Sequence, residues 1–169
     1  MTKKGYTQEE TQIIESVKLY LKAIRALKIE RFNLNLELEN IPTPQSPIFS
    51  DEPKGNSGRT KVEQLDSYIM RRELLIKRMA LFDEELNKFT PYTYLLNTGQ
   101  RNIINAYVNN RGYAEMIEML SSVYYISETK YRYEINNICL TLSKYIDYNN
   151  PPMISEINYR YKVLLSSVQ

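Results

Sequence analysis

The polar side chains between residues 127 and 137 have types and spacing suited to reading another molecule: Ser127, Glu128, Thr129, Lys130, Arg132, Tyr133, Asn136 and Asn137. Among them Tyr131, Ile135 and Ile138 keep the spacing of a buried helical face, so the polar set falls on the opposite face. On a helix in the DNA major groove, Arg132 and Lys130 would reach guanine edges or phosphates and Asn136 would pair with adenine. Thr129 and Tyr133 would touch phosphate or a thymine methyl, while Glu128 would accept from cytosine or repel phosphate. Catalytic chemistry is poorly provided for. The chain has no histidine and one cysteine, Cys139, which removes Ser-His-Asp and Cys-His catalysis and imidazole-based zinc sites. Gly5, Gly55, Gly58, Gly99 and Gly112 never fall in phosphate-loop spacing, and Asp83-Glu84-Glu85 reads as a solvated helix face. A non-enzyme with no cofactor and no metal is expected, with Cys139 as an apolar packer.

Such a helix needs a brace. The run from Leu120 to Ser127 reads as apolar, small (Ser121), two variable positions, apolar (Tyr124), one turn residue, apolar (Ile126) and helix cap, which is the pattern of a helix-turn-helix. In that pattern Ser121 lets two helices cross closely, Leu120, Tyr124 and Ile126 fill their shared core, and Ser127 satisfies the free N–H groups of the reading helix. Three short helices are expected after Pro91. The first, capped by Asn97 or Thr98, buries Ile103, Ile104 and Tyr107 and stops at Asn109-Asn110-Arg111-Gly112. The second starts near Tyr113 with Met116, Ile117, Leu120 and Tyr124 inward. The third buries Tyr131, Ile135, Ile138, Leu142 and Ile146 and ends at Asn149-Asn150-Pro151-Pro152.

Upstream, Thr7-Gln8-Glu9-Glu10 is a capping box that opens a long helix to about Asn40, with Ile13, Val17, Tyr20, Ile24, Leu27, Leu34 and Leu38 on one stripe interrupted by Arg31. Residues 41–58 hold Pro42, Pro44, Pro47, Pro53, Gly55 and Gly58 and are read as a linker in which Ile48 and Phe49 dock on a helix. A second long helix over 60–88 carries Val62, Leu65, Ile69, Ile76, Met79 and Leu86 on a stripe that wants a partner, either the first helix or a second copy of the chain. Arg71, Arg72, Lys77 and Arg78 crowd its middle; with Arg101 and Arg111 they are candidate phosphate contacts, the other reading being a solvated face. A tail helix from about Ser155 to Val168 follows, with Ile157, Tyr161 and Leu164 as its apolar side. The expected fold is all-α: a two-helix hairpin or coiled coil in 1–90, a helix-turn-helix domain in 91–148, and a tail helix in 149–169.

The 169-residue length fits one domain or two small helical ones, and the net charge of +2 is too small to announce nucleic-acid binding by itself. No apolar run approaches the roughly 20 residues of a membrane span and residues 1–10 lack a signal-peptide core, so a cytoplasmic protein without a membrane partner is expected. The 15 tyrosines, with abundant Asn, Ile and Lys, are the residues that A/T-rich codons supply.

Residues 96–107, from Leu96-Asn97-Thr98-Gly99-Gln100-Arg101 to Tyr107, and then Tyr124-Tyr125-Ile126-Ser127-Glu128-Thr129-Lys130-Tyr131-Arg132-Tyr133 resemble the C-terminal DNA-reading region of sigma factors. More specifically the chain resembles the ArpU/RinA-like late transcription regulators of phages of low-GC Gram-positive bacteria. The order of a long helix, Ser46-Pro47-Ile48-Phe49-Ser50, Pro53-Lys54-Gly55-Asn56-Ser57-Gly58 and a charged helix is similar too, so that the likeness spans most of 6–146. It implies activation of late packaging and morphogenesis genes in a bacterial host, with double-stranded promoter DNA and bacterial RNA polymerase as partners; a homodimer is expected separately from the long a/d seam, unless an intramolecular hairpin uses up the same surface. Carried over by position, the reading residues are Thr129, Lys130, Arg132, Tyr133 and Asn136, though Glu128 and Glu134 make this helix less basic than the resemblance leads one to expect. The competing expectations are a packaging protein such as a small terminase subunit, and a helical interaction module that never touches DNA.

Overall fold

In the computed structural model, which describes residues 5–44 and 61–167, the chain is all-helical. The described residues form six helices and no strand: α1 (Gln8–Glu39), α2 (Lys61–Thr93), α3 (Thr98–Asn109), α4 (Tyr113–Ser122), α5 (Glu128–Leu142) and α6 (Ile154–Ser166). No helix is long and apolar enough to cross a membrane, and no group of three or more acidic or cysteine side chains could hold a metal ion, among the described residues.

α1 starts where its capping box predicts. The Thr7 hydroxyl accepts from Glu10 N at 3.1 Å and the Glu10 carboxylate accepts from Thr7 N at 2.9 Å, which satisfies two of the N–H groups that a helix start leaves open. Its buried side divides between two clusters. Ile14, Val17, Leu21 and Ile24 enter a core with Phe89, Leu96 and residues of α3, α4 and α5. Leu27 and Leu34, with Ile41 just beyond the helix end, enter a second with Leu75, Met79, Leu81 and Phe82 of α2 and Ile157 of α6. The boundary expected between 90 and 91 is therefore crossed by packing, since the first half of α1 belongs to the same core as the three short helices.

Four expectations need correction. α2 does not stop before Pro91 but continues to Thr93. A proline removes its own N–H bond, and here the end of the helix is rescued by tighter bonds from Tyr94 N, Leu95 N and Leu96 N to the carbonyls of Pro91, Tyr92 and Thr93 at 3.2 Å. The α2 stripe packs only in its C-terminal part: Val62, Leu65, Ile69 and Ile76 are exposed, whereas Met79 is buried and Leu86 packs partly, joined by Leu75, Leu81, Phe82 and Phe89, which lie off the stripe. α5 ends at Leu142 rather than near Asn149, and Ile146 reaches the core from the turn that follows, its N–H donating to Leu142 O at 3.1 Å. On α6, Ile157 is buried and Tyr161 packs on the second cluster, but Leu164 is exposed. Of the expected linker, Ile41 is buried and Pro42 exposed; Ile48, Phe49 and the rest of 45–58 lie outside the described residues.

Candidate nucleic-acid interface

α4 and α5 meet across the tight connection 123–127. Leu120 and Ile126 are buried, Tyr124 packs partly against the same core, and Ile126 N donates to Leu120 O at 2.8 Å, folding the connection back over the end of α4. The reversal is made by Tyr125, which adopts φ 56°, in the left-handed region that side-chain-bearing residues enter at a cost. Ser127 then caps α5, its hydroxyl accepting from Lys130 N at 3.2 Å. Ser121 does not lie in the crossing, because it is exposed; Met116 and Leu120 make the buried side of α4.

The buried face of α5 is Tyr131, Ile135, Ile138, Cys139 and Leu142. Burial pushes the Cys139 thiol up to about 12 and raises Tyr131 above the usual phenol value. Thr129, Lys130, Arg132 and Tyr133 are exposed together on the outer side. Asn136 is half-buried with its side-chain carbonyl oxygen unpartnered, and the Asn137 carbonyl accepts from the Tyr6 hydroxyl at 3.4 Å, which turns it toward the start of α1. Glu128 and Arg132, one helical turn apart, form an ion pair. Tyr113, at the start of α4, donates its hydroxyl to Glu128 at 2.7 Å, and Arg132 Nε approaches the same hydroxyl at 3.4 Å. The Tyr113 hydrogen bond, followed by the Arg132 charge, holds the Glu128 carboxyl below its ordinary value, and Arg132 is correspondingly raised.

Two cations on α1 that the sequence reading did not single out buttress this unit from behind. Arg25 Nε donates to Tyr107 O at 2.8 Å and its guanidinium lies 4.4 Å from the Tyr107 ring centre, while Lys28 Nζ donates to Asn109 Oδ1 at 2.8 Å. Both act at the C-terminal end of α3, where the last carbonyls lack helical partners and the helix dipole favours positive charge. Helical spacing alone assigns Arg25 and Lys28 to a solvent face, and only the approach of α3 gives them partners.

The candidate phosphate contacts are not gathered beside α5. Arg101 donates to Thr93 O and Leu96 O at 3.2 Å and lies over the Tyr94 ring, so it closes the α2–α3 junction. Arg78 is half-buried, paired with Glu30 at 3.4 Å and donating to Asn158 at 2.9 Å. Arg71 pairs with Glu37, Arg72 lies over the Tyr68 ring, and Lys77 is exposed; all belong to α2, which packs on α1 and α6. Arg111, in the connection before α4, is exposed and lies over Phe32. Across α4 and α5 Glu115, Glu118, Glu128 and Glu134 outnumber Lys130 and Arg132. Comparison with known proteins found no matching family model, no matching curated protein and no matching solved structure.

Proposed function

We propose that the chain is a sequence-specific duplex-DNA-binding transcription regulator, of the phage late-gene type that its sequence resembles. The observation that carries this reading is the Ser127-capped α5 with Thr129, Lys130, Arg132 and Tyr133 exposed on one side, braced by α4 through a five-residue connection. Thr129 and Lys130 lie in the first turn, the part of a reading helix that meets base edges, and Arg132 follows one residue beyond. Arg132 is the discriminating contact in this reading, because a guanidinium engages a guanine edge through two parallel bonds. Arg111 is the phosphate contact on the same unit; Arg101 and Arg78 are left out because their donors serve the fold.

Footprinting on the DNA that flanks the chain's own gene tests the reading. A protected site, with affinity falling steeply as salt rises, is the expected result. Arg132→Ala should cost about 1–3 kcal/mol on that site and little on random DNA. Equal loss on both would reduce Arg132 to a phosphate anchor, and protection of no site at low salt would remove DNA as the partner. The acidic excess of α4 and α5 favours one other reading, a helical module that docks on a basic protein surface, and that last outcome would select it.

A further inference from the structure

Val62, Leu65, Ile69 and Ile76 are 68%, 48%, 44% and 50% exposed, although they recur at intervals of three, four and seven residues along one side of α2. At 3.6 residues per turn this row is rotated roughly 100° from Tyr68, Leu75, Met79 and Phe82, the row that faces α1. Side chains at this spacing define heptad positions: Val62, Ile69 and Ile76 at a, Leu65 and Arg72 at d. We propose that this row is the seam of a parallel two-stranded coiled coil with α2 of a second copy of the chain, over residues 61–76.

Three observations commit the surface to that occupant. β-branched residues at a with leucine at d favour two parallel strands over higher assemblies. The flanking charges are self-complementary in the parallel arrangement only: the g position Lys61 meets the e position Asp66 of the other copy twice, by symmetry, whereas antiparallel pairing would set Asp66 against Glu73. Arg72, half-buried over the Tyr68 ring at 5.6 Å, would interrupt the apolar seam at d, where it lies beside Glu73 of the other copy; a polar residue at such a point fixes register at some cost in stability. The seam is short, roughly 24 Å at 1.5 Å per residue. It needs no helix nucleation, because α1 and α6 already hold the C-terminal half of α2. A weak dimer in the micromolar range follows from so small a surface. This pairing goes beyond the DNA reading and stands without it.

Sedimentation equilibrium of the full chain across micromolar concentrations should show the mass rising from one copy to two. Ile69→Glu should stay monomeric at every concentration with its helical circular dichroism intact, since the side chain lies outside the core. Lys61→Glu should weaken pairing about tenfold or more, and adding Asp66→Lys should restore it. Leu65→Cys should cross-link to its own copy on mild oxidation, a result that holds even if the charged variants lose structure, and buried Cys139 should not compete. A wild-type chain that stays monomeric, or one that forms three or more copies, overturns the proposal. A dimer in which Leu65→Cys fails to cross-link overturns the parallel seam.

Discussion

Arg132 is not idle while it waits for a partner. Glu128 and the Tyr113 hydroxyl engage its guanidinium, so on the proposed reading DNA binding would exchange those contacts for a base edge or phosphate. Replacing Glu128 by Gln removes the competing carboxylate and a charge that repels phosphate; affinity for the footprinted site should rise several-fold, and a titration showing weaker binding would count against this role. The same cluster has a pH signature. Because the folded Glu128 carboxyl is held below its ordinary value, its stabilising contribution is complete above the unfolded glutamate value and is lost as pH falls through the depressed one. Tyr113→Phe removes the largest cause, so an NMR titration of Glu128 in that variant should move back toward the ordinary value. Neutral pH is far above this window, and binding should not change there on account of Glu128. At Cys139, a thiol pushed up to about 12 by burial should resist thiol reagents in the native protein at neutral pH and react on unfolding. The Glu128–Arg132 spacing is visible in the sequence; Tyr113 is fifteen residues from Glu128, and no local pattern announces that its hydroxyl completes the cluster.

The connection from α4 to α5 turns on Tyr125, 89% exposed and left-handed. Its side chain packs little, so the backbone strain has no compensating contact there. Tyr125→Gly should raise stability by about 1 kcal/mol, read as a shift in urea midpoint, and no gain would mean that the ring contributes more than its exposure suggests. Helix starts were the most legible elements. Thr7, Asn97 and Ser127 cap helices through their own side chains, a chemistry that short sequence motifs carry. Faces were less legible. The a/d spacing of Val62, Leu65 and Ile69 reveals an apolar side of α2 but not what covers it, and the α1-facing row at Leu75 and Phe82 competes for the same interpretation. Ser121 failed for a related reason, since a small residue at the expected slot makes close crossing feasible without requiring it.

Across the whole molecule, the packing of α1 into the core of α3, α4 and α5 predicts that these three helices and α1 lose structure together. Ile24→Ala, on α1 and almost fully buried, should cost about 2–5 kcal/mol and leave one unfolding transition, coincident by circular dichroism and tyrosine fluorescence. A separate early transition for the C-terminal helices would show that the shared core does not couple them. The sequence pattern divides the chain at Pro91, where a residue type changes local geometry; long-range contacts such as Arg25 to Tyr107 have no such local marker.

α1 also has a metric consequence. Its 32 residues form an unbroken rod of roughly 48 Å, anchored at one end beside α5 and at the other beside α2. On the proposed pairing and the proposed DNA reading, two copies would present their α5 helices at a separation set by a ruler rather than by a tether. Such a dimer should tolerate changes of base within the spacer of its operator and fail when about five base pairs, half of a roughly 10.5-bp turn, are inserted there.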